Sequence, residues 1–522
     1  MPFETLLVYR LTKLHCSGLA LILGTGVGIK MKTLFIKVLL LFCCLPSLHA
    51  ATHYLDPING SSSGDGSRAL PFGSLEGVVN ANLIESQQWQ TPFSSPGELS
   101  AKNIGAPIKA GDTLILLRGF HGDVDLSRYI NDEFITIDGQ ENSAVKLSSI
   151  SFEAAAKWRL QGVSISPYHR PGYNPSNNRL GNIVAIADHD YFGPSSEIEV
   201  INNDIFTLDD ISGWSASNWV DWASSGISVN AERVLIDANQ VRNIRFGITV
   251  SSNNVVVRRN RVINFSGDGL RGLGDDGLFE YNVVANAFDV DSNHDDGFQS
   301  FTNSRNFEPI FRVTLRANQF YYDLDHPNKG LIGAFQGIGC FDGFFNDWVI
   351  ENNLLYINHW HGITLLGANN AKIFNNTLVD AVPDGRLRPW IKIGARKDSL
   401  GGGSGAGNIT RNNIAWMTNE GSGISQGTNV DPNDHDINDF FVDPANSDFS
   451  LLSTPLLVDA GIAEGAPTID IRGFNRDAIP DIGTYEFGAE PSSNNPPVIP
   501  VNPTANDAVI MPPLLMLLDE DS

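Results

Sequence analysis

Short apolar runs that lead into an Asn recur through the middle of the chain. Typical runs are IEVINNDI, VLIDANQV, VVVRRNRV and WVIENNLL. The Asn residues at the shared position are Asn203, Asn239, Asn260, Asn282, Asn318, Asn353, Asn376 and Asn413. They are 36, 21, 22, 36, 35, 23 and 37 residues apart, which indicates one structural turn of roughly 22 residues, lengthened by inserted loops. Because the runs are short, rich in β-branched residues and separated by Gly, Asn and Asp, they predict strands and turns.

A short all-β repeat with one Asn per turn predicts a parallel β-helix. The Asn amide can bond the backbone of its own turn and the Asn of the next turn, so the Asn residues are expected to form a ladder. The predicted fold class is therefore all-β: a single right-handed parallel β-helix, or solenoid, with a short N-terminal capping helix.

Over about residues 52–488 the chain resembles the secreted right-handed parallel β-helix proteins of the pectate-lyase-like group. The opening, YLDPINGSSSGDGSRALPFGSLEGVV, contains the expected capping helix at 71–80. The close, FVDPANSDFSLLSTPLLVDAG and then DIRGFNRDAIPDIGTYEFG, is similar to the last coil of such proteins. The resemblance implies the fold and an activity on polysaccharides, but a fold alone does not specify the chemistry.

The two ends of the chain read differently from the repeat. Residues 31–50, MKTLFIKVLLLFCCLPSLHA, have the basic, apolar and small-residue parts of an export signal. Met31 is therefore the expected start of the protein. We expect the protein to be secreted, periplasmic or on the cell surface. Residues 51–488 are the predicted β-helix domain. Residues 489–522 are a Pro/Asn-rich linker and an apolar tail too short to span a membrane.

Composition narrows the possible partners. The chain has 59 Asp and Glu against 35 Lys and Arg, a formal charge of −24, which argues against nucleic acid as a partner because phosphate binding requires cationic side chains. With 42% apolar residues the chain is not a disordered polymer. Of four Cys, only Cys340 lies outside residues 1–50, so no internal disulfide and no Cys-based zinc site is expected there. We expect a monomer.

A second pattern recurs once per turn: a variable residue, then Gly, then an aliphatic residue or Phe. The variable position holds Asp268, Asp296, Gln336 and His361 in four of these turns, and the residue after the aliphatic one is Arg271, Gln299 or, in a variant of the pattern, Lys392. Because neighbouring coils of a β-helix are about 4.8 Å apart, these polar side chains are predicted to share one wall. The alternative is that the Asp-Gly and His-Gly pairs are ordinary turn residues with solvated side chains.

The densest part of this pattern is DVDSNHDDGFQ at 289–299. Its four carboxylates would repel one another unless they hold a cation or share a proton. Asp268, Asp295 and Asp296 are therefore the candidate ligands of a Ca²⁺ ion, and His294 joins the candidate catalytic residues.

Substrate contacts are expected from the same wall and from the inserted loops. Gln299 and Gln336 are the candidate polar contacts, and the aromatic side chains of Trp219, Trp222 and Tyr321 are suited to stacking on sugar rings. The alternative is that these aromatic loops fold back onto the outside of the coil.

Three functions remain open from the sequence. The first is a secreted lyase that cleaves a uronate-containing polysaccharide by β-elimination, with Arg271 assisting at the sugar carboxylate and His361, ahead of Lys392, as the base. The second is a glycoside hydrolase that uses Asp268 and Asp296, or the wider pair Asp268 and Asp295, as its two carboxyl groups. The third is a non-catalytic surface protein that binds carbohydrate or uses the β-helix as a spacer.

Overall fold

The computed structural model describes residues 50–141, 143–178, 181–325, 327–383, 388–396, 405–417 and 424–489. The predicted export signal up to residue 49, the predicted start at Met31 and the apolar tail lie outside the described residues, and the domain boundaries stay predictions. Within the described ranges no helix is long and apolar enough to cross a membrane.

Three long sheets run side by side through the described part of the chain. The first contains Thr52–Leu55, Thr113–Leu116, Ile130–Asp138, Ala156–Gln161, Ser196–Ile201, Leu235–Asp237, Val256–Arg258, Leu278–Glu280, Thr314–Arg316, Val349–Glu351, Lys372–Phe374, Asn408–Arg411 and Ile424–Gln426, with the strands Ser86–Trp89 and Leu99–Lys102 beside it. The second contains Gly119–Phe120, Val145–Leu147, Ser164–Ile165, Asp204–Phe206, Gln240–Ile244, Arg261–Phe265, Val283–Ala287, Gln319–Tyr321, Leu354–Ile357 and Thr377–Asp380. The third contains Asp123–Asp125, Ser149–Glu153, Asn182–Ala187, Ser225–Asn230, Ile248–Val250, Leu270–Gly272, Asp295–Phe301, Phe335–Asp342, His361–Leu366, Trp390–Gly394 and Trp416–Met417.

The remaining elements are short. Three strands, Ile310–Phe311, Phe345–Asn346 and Ala368–Asn369, form a small parallel sheet, and Phe441–Asp443 pairs with Asp448–Leu451 in antiparallel fashion. In the described part of the chain the α-helices are Leu75–Asn80, Pro175–Asn178 and Ala216–Trp222; the 3₁₀ turns there are Pro167–His169, Asn303–Arg305, Lys329–Leu331, Pro432–Asp434, Ile437–Asp439 and Pro444–Asn446.

Successive strands of the three long sheets pair in parallel, each with the equivalent strand of the next coil. In the third sheet, for example, Ile248 pairs with Leu270, and Leu270 pairs with Phe298. These residues are fully buried and belong to one continuous apolar core. The predicted fold class is therefore confirmed: the chain is a parallel β-helix.

The Asn ladder lies where the first sheet turns into the second. The side-chain oxygen of Asn282 accepts hydrogen bonds from the backbone and side-chain nitrogens of Asn260, and Asn282 donates in the same way to Asn318. The same contacts link all eight predicted residues and extend to Asn429. The residue before each of the eight has a positive φ of 53° to 56°, a conformation unfavourable for most side chains. The ladder therefore stabilises a strained turn in each of the coils that carry these eight Asn residues.

The N-terminal end of the core is covered by the helix Leu75–Asn80, which begins later than the predicted 71–80. Its N-cap is Ser74, whose side chain accepts a hydrogen bond from the backbone of Gly77. Leu75 and Val78 are buried against the first coils. The predicted capping helix is thus present.

Candidate functional site

The outward side chains of the third sheet form one row. Strand register pairs each of these residues with the next: Ser228, Thr249, Arg271, Gln299, Gly339, Thr364 and Lys392. The row follows from the alternation of strand side chains, because each member is next to a core aliphatic residue. The period of the sequence therefore correctly predicted which polar residues share this wall.

Asp268 and Asp296 occupy adjacent coils beside this row. The backbone nitrogen of Gly269 donates to the carbonyl of Asp296 at 2.9 Å, and the backbone nitrogen of Asp296 faces Oδ1 of Asp268 at 3.3 Å. Arg271 forms a close ion pair with Asp268 through Nε. Gln299 donates to Oδ2 of Asp296 at 3.0 Å. The structure thus brings together two acids, a guanidinium and an amide, as the repeat predicted.

These carboxyl groups are buried. Burial raises the pKa of Asp268, while the Arg271 guanidinium beside it opposes the rise. For Asp296, which is 0% exposed, burial and the charge of Asp268 raise the pKa well above its usual range. Burial and the neighbouring carboxylates, first that of Asp268, raise the pKa of Asp295 to about 9. The Arg271 guanidinium therefore favours the ionised form of Asp268, whereas burial beside the Asp268 charge favours the protonated form of Asp296.

Two buried oxygen atoms also favour a protonated Asp296. Oδ1 of Asp296 and Oε1 of Gln336 have no hydrogen-bond partner among the described residues, and strand register makes these two residues neighbours. Both atoms are acceptors when the carboxyl group is ionised, whereas a protonated carboxyl group supplies a donor. A side chain at Gly339 would place its Cβ 2.3 Å from Oδ1 of Asp296, so glycine at this position leaves room for the buried acid.

Stability is expected to fall as the pH rises from about 4 to about 9, because folded Asp295 keeps its proton up to a pKa of about 9 and an unfolded Asp releases it near pH 4. The free energy of unfolding should fall by up to about 1.4 kcal/mol per pH unit for one such group. In Asp295→Asn this loss should be smaller between pH 5 and pH 8, as measured by calorimetry. The exposed Asp190→Asn is the control; an equal loss in both variants would contradict the assignment.

The arrangement of these side chains does not suit the predicted Ca²⁺ site. Ca²⁺ binds six to eight oxygen ligands, but Asp268 is already paired with Arg271 and Asp296 accepts from Gln299. Within the described ranges, no group of three or more His, Cys, Asp or Glu side chains is placed to hold a metal ion. As arranged, the residues do not fit the ion, so no chemical step is derived through it. Ca²⁺ stays a prediction from the sequence.

Histidine side chains lie further along the same wall. His361 begins the strand His361–Leu366, and its Nδ1 is 3.1 Å from Oγ1 of Thr364. Its ring contacts the edges of Phe341 and Trp390, with ring centroids 4.9 and 5.2 Å apart. The half-buried His361 therefore has a fixed orientation beside the outward row.

His359 was missed by the sequence analysis. Its ring centroid is 5.2 Å from that of His361, and burial, with a smaller effect of His294, lowers the pKa of His359 to about 4. His359 is therefore neutral at pH 7. His294 itself is exposed. The His-Trp-His sequence at 359–361 was the signal that could have indicated this cluster.

Three tryptophans beyond His361 were also missed. Trp360 is 41% exposed and stacks on Trp390 with ring centroids 6.2 Å apart, and Trp390 is 5.7 Å from Trp416. The Lys392 ammonium lies 5.3 Å from the centre of the Trp390 ring. Each of these tryptophans is at or directly before the start of a third-sheet strand. They extend the polar wall as an aromatic row.

The predicted role in sugar stacking is wrong for two residues, Trp219 and Tyr321. Trp219 is 0% exposed, because it packs from the helix Ala216–Trp222 onto Phe288 and Trp214. Tyr321 is also 0% exposed and donates its hydroxyl hydrogen to Gln319 on the second sheet. Neither ring can stack on a substrate. The alternative that these loops fold back onto the coil is correct for Trp219, whereas Tyr321 belongs to the strand Gln319–Tyr321 of the coil itself. Trp222 is partly exposed and stays a candidate.

No family model matches the chain, and no curated protein sequence matches it. Among solved structures, a pectate lyase aligns with 85% of this chain and 98% of its own, at 13% identity and a TM-score of 0.41. An alginate lyase aligns with 61% of this chain and 48% of its own, at 19% identity and a TM-score of 0.37. A lacto-N-biosidase from Eubacterium ramulus aligns with 76% and 72%, at 12% identity and a TM-score of 0.30.

The solved structures similar to this chain thus include two polysaccharide lyases and a lacto-N-biosidase. At these identities and scores, the likeness carries no argument about activity. The residues of the wall itself must support the functional conclusion.

Proposed function

We propose that this protein is a secreted polysaccharide lyase that cleaves a uronate-containing chain by β-elimination. The observation that carries the proposal is the outward row of the third sheet, where Arg271 and Lys392 flank Gln299 and Thr364. The seven residues of this row include two cations and no acid, although the whole chain has a formal charge of −24. An acidic polymer is the carbohydrate that such a local patch would select.

Arg271 is suited to the carboxylate of the substrate. Its Nε atom faces Asp268, and its guanidinium carbon lies 4.0 Å from the centre of the Phe246 ring. A guanidinium group has five N–H donors, so the ion pair through Nε leaves the Nη nitrogens able to form a bidentate contact with a sugar carboxylate. Asp268 and Phe246 orient this fork before the substrate binds.

Protonation of Asp296 and Asp295 also favours the binding of an acidic substrate. Three ionised carboxylates beneath the wall would repel a uronate chain, whereas two neutral acids and one acid paired with Arg271 do not. The buried acids are then positioning residues, and the groups that contact the substrate are the exposed parts of the wall.

The reaction needs a base for the hydrogen next to the sugar carboxylate. The base removes this proton, the electron pair forms a carbon–carbon double bond, the glycosidic carbon–oxygen bond breaks, and the leaving oxygen takes a proton. Arg271 stabilises the negative charge that develops on the carboxylate. Lys392 and His361 are the candidate bases, since both lie on the wall beyond Gln299.

The second candidate is a glycoside hydrolase in which Asp296 donates a proton to the glycosidic oxygen. The raised pKa of Asp296 favours this alternative. Its burial counts against it, because the side chains of Asp268 and Asp296 have no exposed surface through which to touch a sugar. We therefore rank the lyase first.

One assay separates these functions. The purified protein is incubated with a panel of uronate-containing and neutral polysaccharides, while the ultraviolet absorbance of unsaturated uronates and the release of reducing ends are both followed. A lyase should produce both signals on a uronate polymer. Reducing ends without ultraviolet absorbance would indicate the hydrolase. No product from any polymer, with binding retained, would indicate a non-catalytic carbohydrate-binding protein.

A further inference from the structure

A buried hydroxyl group connects Trp390 to His361. Thr364 is 1% exposed, and its Oγ1 lies 2.9 Å from the indole Nε1 of Trp390 and 3.1 Å from Nδ1 of His361. An indole nitrogen is only a donor. Oγ1 of Thr364 must therefore accept the hydrogen bond from Trp390.

The hydroxyl hydrogen of Thr364 then needs an acceptor. Among the described residues, Nδ1 of His361 is the other hydrogen-bond partner of Oγ1. If Nδ1 carried a proton, it would donate to Thr364 and leave the buried hydroxyl hydrogen without a partner, which is unfavourable. The favourable arrangement has Thr364 donating to an unprotonated Nδ1. A neutral imidazole with an unprotonated Nδ1 carries its hydrogen on Nε2.

We propose that Thr364, oriented by Trp390, holds His361 in the tautomer protonated on Nε2, so that His361 donates a hydrogen bond to an oxygen of a bound sugar. The assignment of the donor role rests on the proposed function, whereas the tautomer does not. In this state neither nitrogen of His361 is available as a base: Nδ1 is occupied by Thr364 and Nε2 already carries a hydrogen. The role of base, which the sequence analysis gave first to His361, then belongs to Lys392.

The tautomer can be read without any substrate. We expect long-range ¹H–¹⁵N correlation spectra of protein labelled at histidine, recorded at mildly alkaline pH, to show His361 with its proton on Nε2; His361→Gln assigns the signal. In Thr364→Val, which removes the hydroxyl but keeps the shape, the signal should move toward a mixture of tautomers. Thr364→Ser should restore it, and Thr249→Val, in the same outward row, should leave it unchanged.

Other results would overturn the proposal. A wild-type signal protonated on Nδ1 would do so, and so would a Thr364→Val spectrum identical to that of the wild type. If Thr364→Val does not fold, Trp390→Phe is the replacement test. Without the indole donor, Oγ1 of Thr364 can accept from Nδ1, so the tautomer should again become mixed; an unchanged signal would count against the proposal.

Kinetics test the donor role separately. Gln at position 361 keeps an N–H donor but provides no base, so His361→Gln should retain turnover within about tenfold of the wild type, whereas His361→Ala should lose about a hundredfold. Equal losses in the two variants would overturn the donor role. Wild-type protein without activity on any polysaccharide would reject the proposed function, while the spectra would still decide the tautomer.

Discussion

Asn282→Ala is expected to lower the free energy of unfolding by about 3 to 5 kcal/mol, since several buried groups lose a partner at once. The side chain accepts from both nitrogens of Asn260, and it donates to the carbonyl of Val257 and to Oδ1 of Asn318. Each unsatisfied buried polar group costs about 1 to 3 kcal/mol. Urea unfolding followed by circular dichroism measures the difference.

Asn230→Ala provides the control for this prediction. Asn230 is exposed at the end of the strand Ser225–Asn230 and lies outside the ladder, so its replacement should change stability by less than about 0.5 kcal/mol. If Asn282→Ala were as mild as Asn230→Ala, the ladder would not be a main source of stability in this fold.

Lys392→Met is expected to lower turnover on the uronate substrate by two or more orders of magnitude while the fold is retained. The reason is that the proposed mechanism takes the proton from the substrate with the Lys392 amine, and a positioned base contributes roughly 10²- to 10⁴-fold. Met keeps most of the aliphatic stem that lies near Trp390. Steady-state kinetics and a thermal unfolding curve are measured on the same preparation.

Lys372→Met is the matched control, because Lys372 is exposed on the first sheet, away from the outward row of the third. Its turnover should equal that of the wild type. A fully active Lys392→Met together with an inactive His361→Gln would assign the base to His361. Activity in both of these variants would reject the site as a lyase centre.

The sequence predicted the coil and the wall for a simple physical reason. In a parallel β-helix the repeat along the chain is also the repeat in space, so Asn239, Asn260 and Asn282 had to stack if their spacing was one turn. The same rule placed Arg271 beside Gln299, because alternate strand residues point to the same face.

The rule did not predict how deeply each side chain is buried. Asp268 and Asp296 were expected on the wall as metal ligands or catalytic acids, yet they lie beneath it, where burial raises the pKa of both carboxyl groups. Trp219 and Tyr321 are in or beside inserted loops, whose path the repeat does not describe. Burial depends on which loops cover a coil, and because these loops differ from coil to coil, the repeat in the sequence does not predict it.

The sequence by itself determined the β-helix, its Asn ladder and the identity of the polar residues on one wall, because local period and strand alternation are enough to specify them. Only the tertiary structure decided that burial raises the pKa of Asp296, that Trp360, Trp390 and Trp416 continue the wall, and that Thr364 orients His361. These features depend on contacts between residues of different coils and on the exclusion of water, which act only once the coils are stacked.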